Sequence, residues 1–151
     1  MATRWQELTN SFGLLVLRLG AGGFMLTHGW GKLQMVLSGT GSVGDPIGVG
    51  EKLSLILIML AEFVCAILVM VGFGTRLAAI PIAIGMAVAA FIRHGQDPLH
   101  IKEPALLYLS VFAAIIFTGP GKFSVDQLIW PWWSARRAKQ AAAAPPPSPK
   151  T

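Results

Sequence analysis

The chain has 151 residues, of which 54% are hydrophobic and 13% charged; soluble domains carry about 25% charged residues, and a soluble chain this short could not hide so much apolar surface in one core. A net charge of +5 and a pI near 9.9 would suggest nucleic acid in a soluble protein, but here the basic residues sit mostly at the ends of apolar runs, which fits membrane orientation instead. The lone cysteine, Cys65, excludes an internal disulfide and internal dithiol exchange.

No cleavable signal peptide is evident, because Arg4, Trp5 and Glu7 precede a first apolar run that itself contains Arg18, His28 and Lys32. A spanning helix needs roughly 20 mostly apolar residues. Four segments are read this way: Phe12 to Val36, Leu53 to Val71, Leu77 to Ile92 and Pro104 to Thr118. The expected fold class is therefore all-α, a four-helix transmembrane bundle. Ser38 to Gly50, with its glycines and Pro46, reads as a loop, and Gly72, Gly74 and Thr75 as a tight turn. His94 to Lys102 reads as a short polar loop, and Gly119, Pro120 and Gly121 stop the fourth helix. Ser124 and Gln127 resemble a capping box that starts a short surface helix. The tail from Ala138 to Thr151, rich in alanine and proline, reads as disordered. The division expected is residues 1–11 as N-terminus, 12–128 as membrane domain, and 129–151 as an interfacial tryptophan segment with a basic tail.

Orientation follows from Lys and Arg. One side holds Arg4, Arg76, Lys122, Arg136, Arg137, Lys139 and Lys150, and the other Lys32, Lys52, Arg93 and Lys102. The excess places both termini in the cytoplasm. Trp130, Trp132 and Trp133 beside Arg136 and Arg137 read as an aromatic anchor at that interface.

Arg18 and Glu62 lie inside spans, where a charge costs roughly 3 kcal/mol or more, so each is expected to pair with the other. Such a pair is either a staple between two helices or part of a proton or ligand relay. At 100° per residue, Arg18, Ala21, Gly22, Met25, His28, Gly29 and Lys32 share one face of the first helix. Ala79, Ala83, Ala87, Ala90 and His94 form a similar stripe on the third. Small residues let membrane helices approach closely, so Arg18, His28 and Lys32 should point inward. The outer mouth then gathers His28, Lys32, His94, Asp97, His100 and Glu103. That gathering is an ordinary polar rim or a proton-handling site. No metal is expected; His28, His94 and His100 are the residues that would have to hold one, and a bis-histidine haem is the remaining reading of that set.

Four motifs in order then carry a resemblance. LRLGAGGFMLTHGWGKL, from Leu17 to Leu33, resembles the start of the DoxX family, as does the second-helix glutamate in LAEFVCAILVMVGFGTRLAAIPIAIGMAVA. The EPALLYL run and GPGKFSVD, from Gly119 to Asp126, complete the pattern. It covers about residues 12 to 128. The resemblance implies a bacterial inner-membrane protein of four helices linked to redox chemistry. Such a protein would be a subunit of a quinone-linked oxidoreductase, or a member of a complex that resists oxidative and thiol stress, with a soluble or membrane redox partner. A quinone needs an apolar slot with a few hydrogen-bond donors; Arg18, His28, Trp30 and Lys32 are candidates to supply them, with Phe24 and Met25 as walls. Candidates for chemistry are Arg18, Glu62, His28 and Lys32. Two other readings remain open: an assembly subunit docking a partner through its tryptophan segment, and a small-solute carrier. No broken helix apart from Pro81 and no internal repeat support the carrier.

Overall fold

In the computed structural model, residues 3–129, 131 and 132 are described. Four helices are long and apolar enough to cross a membrane: α1 (Arg4–Ser38), α2 (Glu51–Val71), α3 (Thr75–Arg93) and α4 (Leu99–Thr118). No strand occurs among the described residues. Each helix packs on its neighbour in sequence, and α4 returns to touch α1.

The bundle matches the expected architecture, but two helices begin earlier than their apolar runs. α1 starts at Arg4 because Thr3 and Gln6 form a capping box, each side chain bonding the other's backbone N–H. Its 35 residues make it about 52 Å long at about 1.5 Å per residue, well beyond the roughly 30 Å hydrocarbon layer. α4 starts at Leu99 rather than Pro104, with Pro98 at its N-cap and Pro104 continuing the helix.

The core is thin and built of small residues. Ala66, Ala79 and Ala90 are fully buried, with Met25, Val69, Ile82, Phe112 and Ile115 filling the space between. Lipid is as apolar as these side chains, so close packing rather than water exclusion holds such helices together. The small faces anticipated on α1 and α3 do turn inward: Gly22, Gly29, Ala79, Ala83 and Ala90 are all buried. Large apolar residues point outward around the bundle, among them Phe12, Leu77, Leu107 and Phe117, as a lipid-facing surface requires.

Two polar devices fasten the ends. At one end, Asp126 accepts from the N–H groups of Gly74 and Thr75 and from the Thr75 hydroxyl, at 2.7 to 2.9 Å. It thereby caps α3 from across the bundle. Ser124 accepts from the Gln127 N–H as anticipated, and residues 125–129 are helical. At the other end, Asp45 accepts from the N–H groups of Val49 and Gly50 and from the Ser54 hydroxyl, tying the 39–50 connection to the start of α2. These bonds, the Gly50 N–H foremost, hold the Asp45 carboxyl below the usual carboxylate range. Trp130, Trp133, Arg136, Arg137 and the tail from Ala138 lie outside the described residues.

Candidate functional site

Helix geometry is irregular where the polar residues meet. In α2, Leu60–Cys65 widens into a π-turn around Glu62, and in α3 Val88–Arg93 does the same. Such π-bulges are rare and often sit at functional sites. Opposite the first, Gly29 brings α1 against the backbone of α2. A Cβ there would lie 2.5 Å from the carbonyl carbon and oxygen of Glu62, so only glycine permits this approach.

One turn further along α1, Lys32 reaches back to Glu62. The ammonium donates to Oε2 at 2.5 Å, and the Glu62 side chain is 4% exposed. The Lys32 side chain is more open, at 21%. Among the described residues, Glu62 Oε1 accepts no hydrogen bond and Lys32 donates no second one. An ammonium has three N–H donors and a carboxylate has two oxygens. The pair therefore offers two donors and one acceptor beyond its own bond.

These groups face a cavity of about 690 Å³ between α1, α2 and α3. Leu57, Ile58, Ala61, Ile84 and Val88 form its apolar wall; His28, Lys32, Glu62, Arg93 and His94 are its ionisable lining. Gly85 and Pro81 also line it. A Cβ on Gly85 would meet the end of Ile58 at 2.7 Å, so the missing side chain is part of what keeps the space open. At the mouth, His94 Nδ1 lies 2.7 Å from Asp97 Oδ2, and Lys102 donates to the Gly95 carbonyl.

The sequence candidates divide sharply. His28, Lys32, Glu62 and His94 line the cavity. His28, expected to point inward, is instead exposed at the rim, with its ring edge-on to Tyr108 at 6.1 Å. Tyr108 joins the site's surroundings through that ring contact; the sequence offered only a polar hydroxyl on α4 as a signal for it. Met25 is instead a core residue, 1% exposed. Phe24 and Trp30 point outward, at 67% and 53%, so they do not wall the same slot; Trp30 packs against Phe63. His100 does not line the cavity. Among the described residues, no three His, Cys, Asp or Glu side chains gather as a metal site.

The anticipated pair of Arg18 with Glu62 does not form. Arg18 is 1% exposed and donates to four backbone carbonyls: Val69 at 2.9 Å, Met70 at 3.0 Å, Phe123 at 3.1 Å, and Pro120. Val69 and Met70 belong to the last turn of α2, whose carbonyls lack intrahelical partners. α2 closes there at Gly72, whose φ is 81°. A cation at that end also meets the negative pole of the helix dipole. The two charges miss each other because α1 overhangs the end of α2. Arg18 stands level with Val69, seven residues and about 10 Å from Glu62 along the axis of α2.

The DoxX family model matches residues 13–95, a segment holding every cavity-lining residue from His28 to His94. The chain belongs to the DoxX family. Two relatives agree in extent. An uncharacterized protein of Haemophilus influenzae is 33% identical over 131 residues, covering 80% of this chain and 92% of its own length. The inner membrane protein YqjF of Escherichia coli K12 is 31% identical over 126 residues, covering 80% and 95%. No solved structure matches the chain. The polypeptide is thus a DoxX-family membrane protein whose family segment contains the cavity and its charged pair.

Proposed function

We propose that this protein is a redox-associated component of the bacterial inner membrane that holds a small lipophilic molecule, a quinone foremost, in the cavity beside Lys32 and Glu62. The observation that supports the reading is an ion pair with spare donors and a spare acceptor beside the apolar wall formed by Leu57, Ile58, Ala61, Ile84 and Val88. Ligand sites combine such walls with a few placed polar groups, and intramembrane charges mark function by default. The redox part of the reading comes from the family resemblance.

The residues present fit a quinone. Its flat apolar ring suits Leu57, Ile58, Ile84 and Val88, and its carbonyl oxygens need donors. Bound there, a quinone supplies two-electron, two-proton redox chemistry, with the electrons coming from a redox partner protein. Lys32 Nζ would donate to a carbonyl oxygen, and Glu62 Oε1 would accept from a hydroxyl. Both are held ready by the bond they share.

The test is saturable binding of decyl-ubiquinone to the purified protein in nanodiscs. Gly85→Leu should fill the chamber next to Ile58 and weaken binding at least tenfold. It should keep a folded, monodisperse protein, because the nearest obstacle is the flexible end of a side chain. Unchanged binding in that variant would place the ligand elsewhere.

The topology belongs to the same proposal: both termini in the cytoplasm and the 39–50 connection outside. Reporter fusions at Gly44 and after Ala138 should read periplasmic and cytoplasmic respectively; a periplasmic tail would invert the orientation.

A further inference from the structure

We infer that the α1–α2 connection is a strap over part of the cavity mouth, tied down by Arg93; its role as a ligand gate rests on the cavity being a binding site. The connection spans residues 39–50 and folds across the mouth, where Val43, Pro46 and Ile47 form part of the cavity lining. A lining built from a glycine-rich connection is unlike the rest of the chamber, which is helix apart from His94.

The pattern of its polar ties gives the gate its mechanics. Every side-chain bond made by Asp45 goes to its own connection or to the first turn of α2. The Ser42 hydroxyl accepts from the Gly44 N–H. These bonds make the segment one unit hung on α2. Only one hydrogen bond crosses the cavity mouth to α3 among the described residues: the Arg93 guanidinium donates to the Val43 carbonyl. Gly44 and Gly48, each with a φ of 75°, flank the Asp45–Pro46–Ile47 turn. Backbone freedom at those two positions lets the turn swing once the bond is broken. Arg93 is exposed at the end of α3, so its side chain can leave Val43 for water or a lipid phosphate without leaving a buried charge.

The consequence is that the chamber opens further toward the aqueous phase on the loop side when the strap lifts, and that one side chain sets how often. Losing one solvent-exposed charge-assisted hydrogen bond should raise the open population about threefold.

The experiment needs no ligand, so its failure is separable from failure of the quinone reading. In the full-length protein with Cys65→Ser, Ile58→Cys places a thiol on the cavity wall. Its alkylation by iodoacetamide, an uncharged water-soluble probe, is followed in nanodiscs. Arg93→Gln should speed alkylation about threefold, the same single-bond shift. Arg93→Lys, which keeps a charged donor, should stay near the parent rate. A Phe117→Cys control, on the lipid-facing side of α4, should not change with either variant. An unchanged or slower rate at Ile58→Cys in the Arg93→Gln protein would overturn the gate. So would an equal acceleration at the Phe117→Cys control, because that would be general loosening of the bundle.

Discussion

Replacing Arg18 with leucine should leave little or no folded protein in detergent, and adding Glu62→Leu should not rescue it. Arg18 satisfies four carbonyls contributed by the last turn of α2 and by the 119–123 turn. A buried acceptor left without a partner costs about 1 to 3 kcal/mol. Losing four at once therefore approaches the roughly 5 to 15 kcal/mol that holds a typical domain together. Arg18 is also the group through which α1 grips both the end of α2 and the turn after α4, next to the Asp126 that caps α3. Arg18→Lys keeps the charge but loses the planar fork of donors, so it should recover only part of the loss. Fluorescence-detected size-exclusion profiles of the variants, with their melting temperatures, measure this. A stable, monodisperse Arg18→Leu protein would show that the carbonyl cluster is not what fastens the bundle.

The second large effect is expected at the other end of the same helix face. Lys32→Met and Glu62→Leu should each cost on the order of 3 to 5 kcal/mol, because each strands a charge in a low-dielectric wall. The double variant should regain most of that stability, since an apolar pair of similar volume replaces a buried ion pair at little net cost. The two ends therefore separate cleanly: the coupling partner of Glu62 is Lys32, and Arg18 has none among the carboxylates of the spans. Thermal melts of the four proteins in one detergent give the cycle. Losses that simply add would mean that Lys32 and Glu62 do not interact.

The bundle was legible because the bilayer imposes it. Long apolar runs punctuated by glycine, proline and a few charges leave little choice of architecture, and the small faces of α1 and α3 could be drawn from the 100° repeat alone. What hydropathy could not show was where helices start outside the hydrocarbon. Thr3 and Gln6 carry the capping pattern that extends α1, yet the run from Arg4 to Ser11 is polar and drew no span. That overhang changed the depth of Arg18, and with it the partner. The sequence contains both cations of the face, Arg18 and Lys32, and one carboxylate, Glu62; choosing between them needs the offset of two helices to within two turns. The assumption that a buried arginine requires a carboxylate was a second obstacle. A helix C-terminus supplies carbonyls that no residue pattern advertises, apart from Gly72 and Gly74 marking the end. The candidate site was half legible: His28, Lys32, Glu62 and His94 share the cavity. Phe24 and Trp30 did not follow, because neighbours of an inward residue on a helix point up to a third of a turn or more away from it. The cavity itself depends on Gly85, Pro81 and two π-turns, irregularities that periodicity smooths over.

In the proposed function, the Lys32–Glu62 pair is the polar end of a ligand site rather than a staple alone. Decyl-ubiquinone binding to the Lys32→Met/Glu62→Leu double variant in nanodiscs tests it most directly, because that protein keeps the packing and loses only the spare donors and acceptor. Binding should be saturable in the wild-type protein and absent in the folded double variant. Equal binding in both, or binding in neither, would contradict it.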